Sequence, residues 1–202
     1  MNRLQSAVVS DWFGPAMVSL IAVVGIGALN PTFLSPLNLN VLLLAVSINA
    51  LIAMSQMIII AIGQMNLAVG AIGGFAAVSF AGLMEVWNVP PPLAAAAALA
   101  IGLGAGFLNG WIIASTGISA FVITLASLAI FKGFNLGITR AQPFYAIADS
   151  VKAFGTATFF GVVPWLLLPT LAVAVLLWYL LARLPLGRNI LAVGANPNAS
   201  AL

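Results

Sequence analysis

Side chains that could do chemistry are scarce in this sequence. It has no histidine, no cysteine and three acidic residues, Asp11, Glu85 and Asp149. Nucleophilic catalysis needs a base beside the nucleophile, and a proton relay in a membrane needs buried acids or histidines. All three acids fall near or beyond the ends of long apolar runs, and no GxxxxGK(S/T) phosphate-binding motif is present. The sequence therefore predicts no catalytic residue, no metal site and no cofactor in this chain.

The remaining polar groups are amides, hydroxyls and a lysine in apolar surroundings, and such groups can line a transport pathway. The densest set lies in the stretch GQMNLAVGAIGG, residues 63–74, where the glycines disfavour a regular helix. Irregular backbone at membrane depth is tolerated only where it is buried in protein or lines a wet cavity. We therefore predict a broken or re-entrant segment beside the pathway, with an ordinary turn as the alternative. The candidate pathway residues are Gln64, Asn66, Asn109, Thr124 and Lys132, with Gln56 and Asn135 as weaker candidates.

Three of these candidates also have a plausible structural role. Thr124 could hydrogen-bond the backbone of its own helix. Asn109 could link two helices through its amide. Lys132 is close enough to a predicted helix end for its ammonium group to reach the membrane interface. The sequence leaves both interpretations open for each residue.

Composition identifies the solvent as lipid. The chain is 63% hydrophobic and 4% charged, whereas a soluble domain carries charge on about a quarter of its residues. Only helices and closed barrels satisfy the backbone in hydrocarbon, and the apolar runs are continuous rather than alternating as barrel strands would be. We therefore predict an all-α integral membrane protein. A net charge of +3 gives no indication of nucleic-acid binding.

Charge-free runs and turn signals predict about six transmembrane helices, since each span needs about 20 mostly apolar residues. The predicted spans are 13–29, 39–62, 67–86, 93–114, 119–138 and 162–182. They form a single polytopic membrane domain over 1–202, with a longer loop at 141–162. Six spans put both termini on one side, and the basic residues there favour the cytoplasm.

Glycines recur every four residues in two of the predicted helices. They are Gly70 and Gly74 in the third helix and Gly102, Gly106 and Gly110 in the fourth. Small residues at this spacing let helix backbones approach closely in lipid. We predict that these glycines pack helices together.

Three segments resemble the permease subunits of bacterial ABC sugar importers of the ribose, xylose and galactose type. The stretch 63–74 is similar to that family's GGIDLSVGS signature. The stretch LNGWIIASTGISAFVITLASLAIFKGF, 108–134, resembles its NG…PFIVTL…RG segment, and LGRNILAVGANPNASAL, 186–202, resembles its GRxIYAIGGNPxAAxxSG segment. Order and spacing agree from about residue 40 onward. Branched-chain amino acid permeases are more distant relatives of the same family.

The resemblance implies a permease subunit in the bacterial inner membrane that forms the pathway for a small polar solute, a monosaccharide above all. It implies a second permease subunit, a cytoplasmic ATPase and a periplasmic solute-binding protein as partners. ATP would be used by the ATPase, so this chain would be no enzyme. Members of the family are longer, which implies that this chain ends before their C-terminal helices.

Departures from the signature leave the solute class open. Gln64, Asn66, Ala68 and Ala71 stand where the signature has Gly, Asp, Ser and Ser, and Asn66 keeps the shape of Asp without its charge. A branched-chain amino acid permease is therefore an alternative function. A secondary transporter or channel fragment that works without an ATPase is another, and a non-transporting membrane scaffold is a third.

The last segment, 183–202, is expected to be cytoplasmic and to couple the membrane domain to the ATPase, an expectation that comes mostly from the resemblance. Pro185, Gly187, Gly194 and Pro197 are turn and cap residues, and Asn196 could cap a short helix that begins at Pro197. Such a helix would dock in a cleft of the ATPase, whereas the alternative is a plain loop. The predicted ATPase contacts are Arg188, Asn196, Ala199 and Ser200.

Overall fold

The fold is almost entirely helical in the computed structural model, which describes residues 13–195. The helices are α1 (Phe13–Leu29), a 3-10 turn (Pro31–Leu34), α2 (Pro36–Ala61), α3 (Val69–Trp87), α4 (Pro91–Thr116), α5 (Ala120–Thr139), α6 (Asp149–Thr156), α7 (Leu167–Arg183) and α8 (Pro185–Ala195). A small antiparallel hairpin precedes α7 and pairs β1 (Thr158–Phe159) with β2 (Val163–Pro164). The predicted all-α membrane fold is confirmed.

Most of the predicted spans have the length needed to cross a bilayer. Helices α2 to α5 are each long and apolar enough, and α7 qualifies when taken together with α8. Helix α1 is a shorter apolar helix of 17 residues, about 25 Å long against a hydrocarbon core of about 30 Å. The expectation of about six spans is thus roughly consistent with the structure. The sixth starts at Leu167 rather than at 162, because the hairpin uses the residues between.

Local chemistry explains where the helices begin and end. Ser35 accepts a hydrogen bond from the backbone of Asn38 and so caps α2, and a proline follows it at the first helical position, where the missing N–H has no cost. Gly117 ends α4 in the left-handed conformation, with φ of 68°, which glycine adopts without a steric penalty. These signals fix the boundaries between the apolar helices.

Two hydrogen bonds show that α2 and α7 lie side by side and run in the same direction, because the later residue of α2 pairs with the later residue at α7. The amide of Asn40, near the start of α2, donates to the carbonyl of Val162 just before α7 at 2.8 Å. About two turns further along α2, the hydroxyl of Thr170 of α7 donates to the carbonyl of Ser47 at 3.3 Å. Thr170 and Ser47 are both buried. The hydrogen bond between them satisfies the hydroxyl of Thr170 between two apolar helices.

The main core lies where α3 packs against both α4 and α5. Ala68, Ile72 and Ala105 form a buried cluster, against which Leu128 and Phe131 pack. Small residues dominate this cluster, so the helix backbones come close together. Aromatic rings extend the contact, since Phe75 lies 5.4 Å from the ring of Phe131 and 5.8 Å from that of Phe134.

The ends of the helices form two opposite faces. The break between α2 and α3, the turn between α4 and α5, and α8 lie on one face, because Gly194 of α8 touches the carbonyl of Ala61 at the end of α2. The end of α3 and the 140–148 loop lie on the other, where Glu85 accepts hydrogen bonds from the backbone of Tyr145 and Ala146. Which face is cytoplasmic stays a prediction.

The glycines predicted to pack helices do not all do so. A Cβ at Gly74 would lie 3.3 Å from the side-chain nitrogen of Asn135, a close approach between α3 and α5. At Gly70, Gly102, Gly106 and Gly110, a Cβ would meet no atom within 4 Å. These four residues therefore form no close packing seam with any other part of residues 13–195. The reason is that spacing places glycines on one helix face but does not decide which neighbour that face meets.

Candidate functional site

The segment between α2 and α3 is a real interruption of the helices, but it is shorter than predicted. It runs from 62 to 68, and α3 begins at Val69, so Gly70, Gly73 and Gly74 lie within a regular helix. Gly63 allows the chain to turn because its φ is +73°, in the region that favours glycine. Each of the three later glycines lowers the stability of the helix relative to alanine. The packing of α3 against α4 and α5 offsets this cost.

Two side chains from other helices hold this segment in place. Gln56 of α2 donates its amide N–H to the carbonyl of Asn66. Thr124 of α5 accepts a hydrogen bond from the backbone N–H of Leu67 at 3.1 Å and donates its own proton to the carbonyl of Ala120 at 2.7 Å. Thr124 is only 1% exposed, so its hydroxyl serves the backbone, as the structural interpretation of this residue predicted.

Asn66 also has a structural contact. Its side-chain oxygen accepts the backbone N–H of Ala68 at 2.8 Å, a local turn typical of Asn that directly precedes α3. Thr124 stands four residues into α5, about 6 Å along the axis. The segment held by Thr124 therefore enters the helical layer by about one turn.

A cavity of about 490 Å³ lies between this segment, α4 and the start of α5. Apolar side chains such as Ile59, Ile62 and Ile113 form part of its wall, and none of its lining residues is charged. The size is typical of a small-molecule site, as is the combination of an apolar wall with a few polar groups. The polar and glycine residues that line it are Gln64, Asn66, Gly106, Asn109, Gly110 and Thr124.

Asn109 is the most unusual polar residue of this cavity. It is 5% exposed, its side-chain oxygen accepts a hydrogen bond of 2.6 Å from Ser127, and its Nδ2 has no hydrogen-bond partner within the described residues. Ser127 was not among the predicted site residues, although it follows Thr124 by three residues and so shares a face of α5 with it. That spacing was the available signal.

The structure brings four of the five predicted pathway residues together. Gln64, Asn66, Asn109 and Thr124 all line the cavity. Lys132 does not, because it is exposed on α5, eight residues and about 12 Å beyond Thr124. Among the weaker candidates, Gln56 hydrogen-bonds the 62–68 segment at Asn66 and is not among the residues that line the cavity.

Asn135, the other weaker candidate, packs against Gly74. This contact lies away from the cavity. Its side-chain oxygen is buried and has no hydrogen-bond partner among residues 13–195.

The predicted coupling segment begins with a helix that the sequence did not suggest. Pro185 starts α8, and Gly187 and Gly194 lie inside it rather than in turns. The axis bends by 74° between α7 and α8. A Cβ at Gly187 would collide with the backbone of Leu180 and Leu181, so the bend requires glycine. The apolar and glycine residues of α8 are used for this packing, which local turn preferences could not reveal.

Helix α8 connects the surface to the cavity. Its residue Val193 lines the cavity, and the next residue, Gly194, lies against the carbonyl of Ala61. Arg188 is exposed on α8, as a surface contact requires. The other predicted contact residues, Asn196, Ala199 and Ser200, lie outside the described residues.

Comparison with known proteins shows that the chain is similar in sequence to transport permease proteins. The chain is 34% identical over 192 residues to the D-allose transport system permease protein AlsC of Escherichia coli K12, which covers 94% of this chain and 58% of that protein. It is 35% identical over 201 residues to the ribose import permease protein RbsC of Bacillus subtilis 168, with coverages of 98% and 62%. It is 30% identical over 184 residues to the autoinducer 2 import system permease protein LsrC of Salmonella typhi, with coverages of 90% and 52%.

The chain thus spans about three-fifths of the length of the first two of these relatives and about half of the third. No solved structure gives a significant match to it. Residues 38–202 match the family described as branched-chain amino acid transport system / permease component. This match extends from the start of α2 to the last residue and includes every residue that lines the cavity. The chain is therefore a multi-pass membrane protein that belongs to this permease family.

Proposed function

We propose that this chain is the pathway-forming part of an ATP-binding-cassette importer permease for a monosaccharide. The observation that carries the proposal is the uncharged cavity against the 62–68 segment, with the buried amide of Asn109 in its wall. The names of its relatives, which concern allose, ribose and autoinducer 2, support a sugar-like solute. In this proposal the chain hydrolyses nothing, and a separate ATPase supplies the energy.

The chemistry of the cavity favours a neutral solute over an amino acid. A free amino acid carries an ammonium and a carboxylate, and burying either without a charged or strongly hydrogen-bonding partner is costly. None of the residues that line the cavity is charged. A sugar presents hydroxyl groups to amides and its C–H faces to apolar side chains, which matches a wall of Asn66 and Asn109 beside Ile59 and Ile113.

Coupling to the ATPase is assigned in this proposal to α8 and the residues after it, with Arg188 on the exposed side and Asn196, Ala199 and Ser200 further along. The support is mechanical. A displacement of α8 would be passed to the end of α2 through Gly194 and Ala61, and to the cavity wall through Val193. The partners in this arrangement are a cytoplasmic ATPase, a second permease subunit and a periplasmic binding protein, with the chain's N-terminus in the cytoplasm.

Transport in reconstituted vesicles tests the proposal. The complete permease, its ATPase and its binding protein are incorporated into liposomes, and uptake of labelled D-ribose, D-allose and L-leucine is measured with ATP and without it. We expect one of the sugars to accumulate only when ATP is present, and we expect leucine not to accumulate. Accumulation of leucine would instead assign the chain to amino acid transport, and sugar uptake that is independent of ATP would exclude an importer driven by an ATPase.

Coupling has its own test, which uses the absence of cysteine from these 202 residues; any cysteine elsewhere in the complete permease is replaced by serine. Single cysteines at Arg188, Asn189, Ala199 and Ser200 are expected to crosslink to cysteines on the ATPase. The matched control is a cysteine at Tyr145, which is exposed on the opposite face of the helices. If the ATPase crosslinks elsewhere on the α8 face but at none of these four positions, another loop carries the coupling.

A further inference from the structure

Asn109 combines burial with an unused hydrogen-bond donor, and this combination has a functional consequence. We propose that Asn109 selects the solute by donating Nδ2–H to one of its hydroxyl oxygens, and that Ser127 is the positioning residue that orients the amide. The inference rests on the proposed transport function and adds to it a specificity-determining contact.

The argument begins with the cost of a buried, unpaired donor. Nearly all buried polar groups in proteins have a hydrogen-bond partner, and one without a partner loses its hydration without compensation. Asn109 is 5% exposed, and its Nδ2 is unpaired within residues 13–195. Because Asn109 also lines the cavity, the missing partner can be supplied by whatever the cavity holds.

The contact with Ser127 occupies the acceptor end of the Asn109 amide. The hydroxyl of Ser127 donates to Oδ1 of Asn109 at 2.6 Å, a contact between two buried side chains on different helices. This contact uses the acceptor of the amide and leaves the donor available. A free N–H selects for oxygen atoms that can accept a hydrogen bond, such as those of hydroxyl groups, and it disfavours an ammonium group.

The other polar groups of the cavity are less suited to selection. The hydroxyl of Thr124 already donates to Ala120 and accepts from Leu67. The side-chain oxygen of Asn66 accepts from Ala68, and Gln64 is exposed. An exposed group exchanges water for solute with little gain in free energy, whereas a buried one gains the full hydrogen bond.

The neighbours of Asn109 on α4 leave space for a solute. Gly106 and Gly110 both line the cavity, and a Cβ at either position would meet no atom within 4 Å. Positions 106, 109 and 110 share one face of a helix because they are three and four residues apart. Asn109 is therefore flanked on its cavity side by two positions that have no side chain, which leaves room for a hydroxyl group to approach its free N–H.

Uptake of deoxy sugars tests the assignment. Labelled D-ribose, D-allose, D-xylose and D-galactose are offered to vesicles that hold the complete transporter, and the sugar that accumulates fastest is compared with its monodeoxy analogues. The analogue that lacks the selected hydroxyl should be taken up more slowly than the parent sugar. In Asn109→Leu this discrimination should fall by about fivefold for that analogue alone. Ser127→Ala should reduce it partly, since the amide is then free to rotate.

Ratios between sugars separate recognition from structure. A variant that only disturbs folding slows every sugar equally and leaves the ratios unchanged, and the binding protein contributes equally to parent and variant. The matched control is Asn49→Leu, because Asn49 is an exposed asparagine whose amide donates only to Ala45 of its own helix. We expect unchanged ratios from it.

Two results would overturn the assignment in distinguishable ways. If the unmodified transporter accumulates one of the four sugars but Asn109→Leu keeps every ratio, the assignment is wrong and the transport function stands. If the unmodified transporter accumulates none of them, the proposed function fails and the assignment fails with it.

Discussion

The backbone N–H of Leu67 donates to the hydroxyl of Thr124 at 3.1 Å, although the two residues are 57 positions apart in the chain. This bond ties the irregular segment at 62–68 to the first turns of α5. It satisfies a backbone donor that no helix satisfies, which is a requirement for irregular backbone inside a membrane protein. The cavity wall therefore depends on a hydroxyl group on a neighbouring helix.

Thr124→Val is expected to destabilise the protein by about 1–3 kcal/mol, because the N–H of Leu67 loses its acceptor while the side-chain shape is kept. The measurement is thermal unfolding in detergent. Thr116→Val is the control, since Thr116 is exposed at the end of α4 and bonds only to its own helix and the turn that follows. Equal melting temperatures for the two variants would contradict a role for the bond.

Gly187→Ala is expected to cost about 3 kcal/mol or to prevent assembly, since the new methyl group would collide with the backbone at Leu180 and Leu181, which cannot move aside as a flexible side chain could. Monodispersity on size-exclusion chromatography and thermal stability give the measurement. Gly137→Ala serves as the comparison, because the added methyl group meets no atom within 4 Å and alanine favours the helix. A stable Gly187→Ala protein would show that α7 and α8 do not need their tight bend.

Gly106→Leu is expected to abolish most uptake while the protein folds normally. The new side chain enters the cavity of about 490 Å³ and meets no existing atom within 4 Å at its Cβ. Gly102→Leu is matched to it, since Gly102 is one turn earlier on α4, has the same open space and is not among the residues that line the cavity. Uptake in liposomes distinguishes them. Comparable losses in both variants would show that the effect comes from the helix surface rather than from the cavity.

Glu85→Ala is expected to release the loop that follows α5. One carboxylate oxygen of Glu85 accepts the backbone N–H groups of both Tyr145 and Ala146, and hydrogen bonds to a charged group are stronger than neutral ones. Amide exchange at these two residues should become about tenfold faster or more. Asp149→Ala should leave it unchanged, because Asp149 pairs at 3.8 Å with an exposed Lys152, and surface pairs contribute little. Unaltered exchange in Glu85→Ala would mean that other contacts hold the loop.

Reporter fusions test the orientation of the chain. A fusion after Ala182 is expected to report the cytoplasm, and fusions within 141–160 should report the periplasm. The reason is that Arg183 and Arg188 follow the last long apolar helix, and basic residues are retained in the cytoplasm. Activity of the opposite kind at both places would invert the arrangement of α8 and the coupling proposed for it.

Composition and patterning were sufficient for the class of the fold and for most helices. A chain with 4% charged residues has too few charges to form the surface of a water-soluble domain, so its apolar runs are membrane helices. Glycine, proline and asparagine mark the ends of these helices. The predicted α1 span, 13–29, agrees with the structure, and those of α3 to α5 agree to within two residues at each end. The rarity of amide side chains in apolar surroundings also indicated Asn66 and Asn109 as pathway candidates, and both line the cavity.

Long-range contacts supplied what local patterns could not. Spacing along one helix gives the face on which a glycine lies, but the neighbour of that face depends on how the helices pack. Gly74 therefore meets Asn135, while Gly106 meets open space beside the cavity. The same limit hid α8, whose glycine-containing sequence is a poor helix former and which packs against Leu180 and Ala61. It also hid Ser127, because the partner that gives this residue its role is 18 positions away on another helix.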